Sequence, residues 1–317
     1  MAQDLPLTLL LADYHRTHPI LAGEIKARGI EFAPHRAEAG LACMKPVYEE
    51  YDIAEMSMSW YVMARSRGEP VVALPIFPLR MQIHPYIFCS ASAPIERPED
   101  LKGKRIGMDQ YRLTVGLWAR GILQEHYGVR PQDCRWFTNE PESEDAGFQM
   151  PADVEITCAN QSTEAMLLRG ELDALIPPNV VPSFRKKDPR IRRLFKNARG
   201  TVTDYFRKTR IFPITHTLVV RQELFEKQPW IVASLLDTFT EAEKLCRKSY
   251  DYAKRSAFPS AVLIIEEEEE LFGENPWGHG LTGENQVVLE KFVEYANQQG
   301  YIPNRPALGD LFAPLGS

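Results

Sequence analysis

The chain has 317 residues, 44% hydrophobic and 25% charged, with a formal net charge of −6. That length suits two domains and a core large enough to need no disulfide or metal staple. The negative balance speaks against non-specific binding to nucleic acid or an anionic membrane, and no helix-turn-helix or zinc-finger spacing argues otherwise. Five cysteines, at 43, 89, 134, 158 and 246, are odd in number and form no CxxC pair, a pattern of reduced thiols.

The first segment, "MAQDLPLTLLLADYHR", holds an apolar run from Leu5 to Ala12. The run is short, has no Lys or Arg before it and ends at Asp13 instead of a small-residue cleavage site, so it reads as a first strand, not a leader. A cytoplasmic location is therefore expected. Nothing approaches the roughly 18 apolar residues of a membrane span, so no membrane partner is expected.

Strand-like and helix-like runs then alternate, the pattern of an α/β protein. Strands are predicted at 7–12, 30–35, 53–54, 71–77, 86–89, 105–108, 154–157, 174–176 and 215–220. Helices are predicted at 43–51, 59–66, 114–127, 162–169, 230–250 and 284–299. Pro98-Glu99-Asp100 and "GVRPQD" after Tyr127 mark boundaries. From Trp230 onward the pattern is helical. The acidic run 266–270 reads as a solvated helix face, because five adjacent carboxylates repel when desolvated, and the basic run 185–196 reads as surface.

"VVALPIFPLRMQIHPYIF", 71–88, begins as a buried strand and then sets Arg80 and His84 just beyond it. His15 and His18 in "HRTH" lack the spacing and the acid of a zinc-binding HExxH, and His279 in "WGHG" has no ligand neighbour in sequence. No metal site is assigned on this pattern, which leaves a divalent ion open, and no organic cofactor is expected. A phosphate-binding GxxxxGK[ST] loop, a strand-linked GxGxxG and a GxSxG elbow are all missing from the sequence.

Several stretches together resemble the 4,5-dihydroxyphthalate decarboxylase family: "DYHRT" at 13–17, "YDIAEMSMS" at 51–59, "VALPIFPLRMQIHPYIF", "GVRPQDCRWF", "RGELDALIPP", "IFPITHTLVVR" and "NPWGHG" through to "LFAP" at 311–314. "RPEDLKGKRIGM", 97–108, resembles the segment that opens the second lobe of type II periplasmic-binding-protein folds. The resemblance implies a two-lobed α/β fold of that type, with two crossover strands and a helical C-terminal tail. Residues 1–88 and 215–317 would form the first lobe, 89–214 the second, and the ligand cleft would lie between them. Where many members carry arginine, this chain has Ile83 and Asn179.

The implied activity is decarboxylation of a hydroxylated aromatic carboxylic acid in aromatic degradation. Such a site needs a proton donor and acceptor near neutral pH, for which histidine suits, and a planar cation for the carboxylate, for which arginine suits. His84, His216 and Glu55 are the catalytic candidates. Arg80, Arg16, Ser57, Tyr111 and Thr114 are the substrate-binding candidates. Each has a structural alternative: Arg80 a surface ion pair, His84 a loop histidine, His216 a hydrogen-bonded core histidine, Glu55 a helix cap, Tyr111 and Thr114 packing and an N-cap. A second function class also fits, a non-catalytic solute-binding protein that captures a small aromatic carboxylate. Self-association is expected, if anywhere, through an exposed apolar face of the helical tail.

Overall fold

The computed structural model describes residues 4–37, 47–141, 151–250 and 257–314. Cys43 and the first residues of the helix expected at 43–51 lie outside these; Val47–Glu49 is a single 3-10 turn. The other four cysteines are free thiols.

Among the described residues, eleven strands form two sheets. β1 (Leu5–Ala12), β2 (Ile30–Ala37), β3 (Ile53–Ser57), β4 (Val71–Leu74) and β11 (His216–Arg221) make one, ordered β2-β1-β3-β11-β4. Within it β2, β1 and β3 run parallel, and β11 is inserted antiparallel between β3 and β4. β5 (Phe88–Ser90), β6 (Arg105–Met108), β7 (Arg135–Thr138), β8 (Glu155–Cys158), β9 (Ala174–Leu175) and β10 (Ile191–Arg193) make the other, ordered β10-β5-β9-β6-β7-β8.

The chain divides into two compact units: Met1–Arg80, Ile214–Leu289 and Pro306–Ser317, then Met81–Pro213 and Glu290–Arg305. The sequence reading put 81–88 and 290–305 with the first unit. They go to the second because His84–Tyr86 packs beside the Ala198–Thr209 helix ring system, and because Trp118 packs on Phe292 and Tyr295. Gly121 makes that last contact feasible, since a Cβ there would sit 2.2 Å from the Tyr295 ring. The chain passes from one unit to the other four times. Within the first unit Arg80 bridges Ile214 antiparallel, and within the second the Met81 amide donates to Pro213 O at 2.9 Å.

The first unit's core is built from the alternate residues of its strands. Leu9, Leu11, Ile53, Leu74, Leu218 and Val220 pack with Ile231, Leu235 and Phe239 from the Ile231–Lys248 helix. The second unit's core gathers Phe88, Met166, Leu167, Leu175 and Ile191. The acidic run falls on the Ala261–Phe272 helix, and Glu266 to Glu270 are all exposed, as are Val262, Leu263 and Ile264 before them. No helix among the described residues is long and apolar enough to cross a membrane.

Candidate active site

β1 and β3 run parallel, so their C-terminal ends emerge at the same edge of the first sheet, the usual place for ligand chemistry in open α/β sheets. β11 enters the sheet at that edge, with its first residue, His216, directly opposite Ser57, the last residue of β3. The register therefore delivers an imidazole to the end of β3, one side chain from Glu55.

Glu55 is 0% exposed, and a buried carboxylate is tolerable only when its oxygens are satisfied. Three donors reach it. The Ala12 amide donates to Oε2 at 3.1 Å, the Tyr14 hydroxyl to Oε1 at 2.8 Å, and His216 Nδ1 lies 2.5 Å from Oε1. Against an ionised Glu55 the donor in this contact is Nδ1–H, and Nε2 is then the nitrogen able to exchange a proton elsewhere. Tyr14 is aimed by a tight turn after β1: Thr17 donates from its hydroxyl to Ala12 O at 2.6 Å and accepts the Tyr14 amide at 2.9 Å. Glu55 is thus no helix cap. Ser57 occupies the N-cap position of the Met58–Ser66 helix, without a side-chain cap bond.

Two residues beyond Tyr14, the Arg16 guanidinium lies 3.3 Å over the Trp277 ring, donates to Pro78 O at 3.0 Å, and sits 5.8 Å from the Tyr14 ring. Burial lowers its pKa from the ordinary arginine value, with Cys246, Tyr250, Tyr14 and Glu243 acting the other way. Arg16 also lines a cavity of about 680 Å3 within the first unit.

Arg80 is not a surface ion-pair residue. It is 6% exposed, and its Nη2 donates to Gly278 O at 2.7 Å and to Asn285 Oδ1 at 2.6 Å. Burial pushes it down to about 10. These bonds belong to a docked "WGHG" loop: Gly280 N donates to Pro75 O at 2.7 Å, the Phe77 amide donates to His279 Nδ1 at 3.2 Å, and Asn285 Nδ2 donates to Gly280 O at 2.7 Å. Arg80 therefore fixes the loop whose Trp277 stacks on Arg16. His279 is pushed down to about 3 by burial and by Arg80 and Arg16, so it stays neutral and accepts.

His84, Tyr111 and Thr114 belong to the second unit. Within the first unit, the group paired with His216 is Glu55. His84 is 1% exposed and ringed by Tyr127, Phe195 and Tyr205, with ring centroids 6.4, 5.0 and 4.8 Å away. Burial, with His126 adding to it, pushes it down to about 4. Tyr111 is fully buried under the Arg120 guanidinium at 3.7 Å, and its carbonyl accepts from Arg120 and Tyr301. Thr114 opens the Thr114–Tyr127 helix as its first turn residue, the N-cap being Leu113. Asn179 lines a smaller cavity of about 210 Å3 in the second unit, beside Asp109 and Asn139. No group of three or more His, Cys, Asp or Glu among the described residues is placed to hold a metal ion.

Sequence reasoning missed Tyr14, Trp277, Asn285 and Glu243. The first two stand inside quoted motifs, "DYHRT" and "NPWGHG", without a spacing rule to single them out. Glu243 carried a signal: it is a charge on the apolar stripe of the Ile231–Lys248 helix, which buries Leu235, Phe239, Ala242 and Cys246 beside it.

A family model described as NMT1/THI5 like matches residues 48–249. A 4,5-dihydroxyphthalate decarboxylase of Comamonas testosteroni is 29% identical over 322 residues, covering 98% of this chain and 97% of that protein. One of Pseudomonas putida is 32% identical over 213 residues, covering 64% of this chain and 82% of its own length. Among solved structures, a periplasmic sulfonate-binding protein, SsuA, of Methylobacillus flagellatus KT is 13% identical with a TM-score of 0.61, covering 99% of this chain and 93% of that one. The fold is accordingly that of the periplasmic binding proteins. The chain belongs to the NMT1/THI5-like family and, within it, to the 4,5-dihydroxyphthalate decarboxylase family.

Proposed function

We propose that this chain is a cytoplasmic decarboxylase of a hydroxylated aromatic carboxylic acid resembling 4,5-dihydroxyphthalate, the compound named in the Comamonas and Pseudomonas relatives. The observation that carries the reading is the Tyr14–Glu55–His216 cluster with Arg16 two residues from Tyr14. Capture of a carboxylate alone needs only cations and amide donors. A histidine with a buried carboxylate fixed on Nδ1 is built for moving a proton at Nε2.

The reaction needs no redox partner. A ring hydroxyl ortho or para to the departing group pushes electron density into the ring, and the carbon bearing the carboxylate takes a proton. The C–C bond to the carboxylate then breaks, its electron pair restores aromaticity, and CO2 leaves. His216 Nε2 is the proton carrier, Glu55 holds the ring and stabilises the imidazolium, and Tyr14 shares the load on Glu55 Oε1. Arg16, held planar on Trp277, engages substrate carboxylate, while Arg80 positions the Trp277 loop.

The likeness in fold to a sulfonate-binding protein favours the second reading, a non-catalytic receptor for a small aromatic carboxylate. Purified protein incubated without oxygen in D2O, with 4,5-dihydroxyphthalate and a panel of hydroxybenzoates, separates them. Stoichiometric CO2 with deuterium at the vacated ring carbon supports the decarboxylase. Saturable binding with neither CO2 nor deuterium, with and without added divalent metal, would falsify it in favour of the receptor.

A further inference from the structure

The Ile231–Lys248 and Ala261–Phe272 helices, the Trp277 loop and the turn after β1 line the cavity of about 680 Å3, which is open to solvent and of a volume in the range that takes drug-sized ligands. Its lining does not include His216, Glu55 or Tyr14. One wall is apolar, from Ile264 and Ile265, and another is the planar Arg16–Trp277 stack. Arg247 lies at the same cavity and pairs with Glu269 at 3.3 Å.

Glu243 is the feature that protein packing does not explain. It lines the cavity and is 3% exposed, and its Oε1 has no hydrogen-bond partner among the described residues. Burial raises its pKa by more than the surrounding cations, Arg247, Arg16 and Arg80, together with Asn275, lower it. A side chain on a buried helix face would ordinarily be apolar; a carboxyl with an open acceptor there calls for a donor from outside the chain.

We propose that this cavity is a binding site for a hydroxylated aromatic monocarboxylate, with Glu243 Oε1 accepting the ligand hydroxyl. The aromatic ring lies against Ile264 and Ile265, and its carboxylate meets the free edge of the Arg16 guanidinium across the cavity. The three requirements are a hydrogen-bond donor, a flat apolar body and an anion, and each answers one wall. The inference does not use the His216–Glu55 pair. It rests on the decarboxylase reading only in that such a ligand has the chemistry of that reaction's product, and Arg16 is then common to both sites.

The test is calorimetric titration of 3,4-dihydroxybenzoate and of benzoate into the full chain and into His216→Ala, Glu243→Leu and Ile265→Trp. The dihydroxy compound is expected to bind about tenfold more tightly than benzoate, with that preference kept in His216→Ala and reduced to about twofold or less in Glu243→Leu. Ile265→Trp, which fills the cavity without touching the carboxyl, is expected to weaken both ligands by about tenfold and carries the test if Glu243→Leu fails to fold. Absence of binding to the full chain, loss of binding in His216→Ala, or a hydroxyl preference that survives in a folded Glu243→Leu overturns the proposal. A chain that binds in this way and yet releases no CO2 from any substrate sinks the decarboxylase reading and leaves this one standing.

Discussion

The two histidines that the sequence set forward together, His216 and His84, lie in different units and in opposite surroundings. Both are buried. His216 stands at the mouth of a central strand with a carboxylate 2.5 Å from Nδ1, so one nitrogen is fixed and the other is available. His84 sits in a 3-10 turn among three aromatic rings, and among the described residues neither of its nitrogens has a hydrogen-bond partner. Burial makes the His84 imidazole hard to protonate. The pair teaches that a buried histidine is a candidate for proton transfer when an acid has been buried with it.

His216→Ala is expected to lower kcat by about 10^3-fold while ligand binding remains measurable by calorimetry. His84→Phe, which keeps the ring and its packing, is expected to leave kcat within about threefold. Equal losses in both would mean that the aromatic pocket, too, handles a proton.

Glu55→Gln tests the carboxylate's part. The amide can offer an N–H where Nδ1–H needs an acceptor, so the ring is held less well in the productive tautomer. A fall of about 10^2-fold in kcat with little change in KM is expected. A KM effect alone would assign Glu55 to binding.

Arg16→Met keeps the stem over Trp277 and removes the charge. A rise in KM of about tenfold is expected, with a smaller effect on kcat, measured by initial rates over substrate concentration. Unchanged KM removes Arg16 from the site.

The smallest effect is on stability. His84 is held near 4 in the folded chain against about 6.5 when exposed, so the unfolded state binds more protons between those values. Stability rises with pH in that window: the contribution is fully present above about 6.5 and is lost as pH falls toward 4, to a limit on the order of 3 kcal/mol. Thermal unfolding of His84→Phe between pH 5 and 7.5 is expected to fall less steeply with acid than that of the unaltered chain. Parallel curves would mean that another group dominates the acid response.

Long, strongly patterned elements were legible from the sequence. Arg105–Met108 and Thr114–Tyr127 fall where the pattern put them, because apolar periodicity and the Gly128 stop are local signals. β7, "RWFT", and β10, "IRR", were not legible. Each is short, and the second lies inside a basic run that reads as surface, as suits an edge strand whose charges discourage further pairing. The Ala198–Thr209 helix was missed because only Val202, Tyr205 and Phe206 are buried on an otherwise polar element. At the site, Glu55 was a candidate placed just after the strand expected at 53–54, whereas it stands inside β3. Its union with Tyr14 and His216 was not legible, because they come from three segments joined only by strand register and a turn. Ile83 and Asn179, where the family resemblance led arginine to be expected, are respectively a fully buried side chain and a lining residue of the smaller cavity.

The place of β11 has a consequence for how the protein is made. β3 and β4 are only 13 residues apart in the chain, yet they are not neighbours in the sheet; β11, beginning at His216, fills the gap between them. A ribosome that has delivered both strands must synthesise well over a hundred further residues before the sheet can close. The second unit waits longer still, for the segment Glu290–Arg305 that brings Phe292 and Tyr295 to Trp118. At about 5–20 residues per second, an unfilled slot and a bare tryptophan face persist for several seconds or more on each nascent chain. Chaperone dependence should therefore concentrate in that interval, when two strands stand apart and their missing partner has not yet been translated.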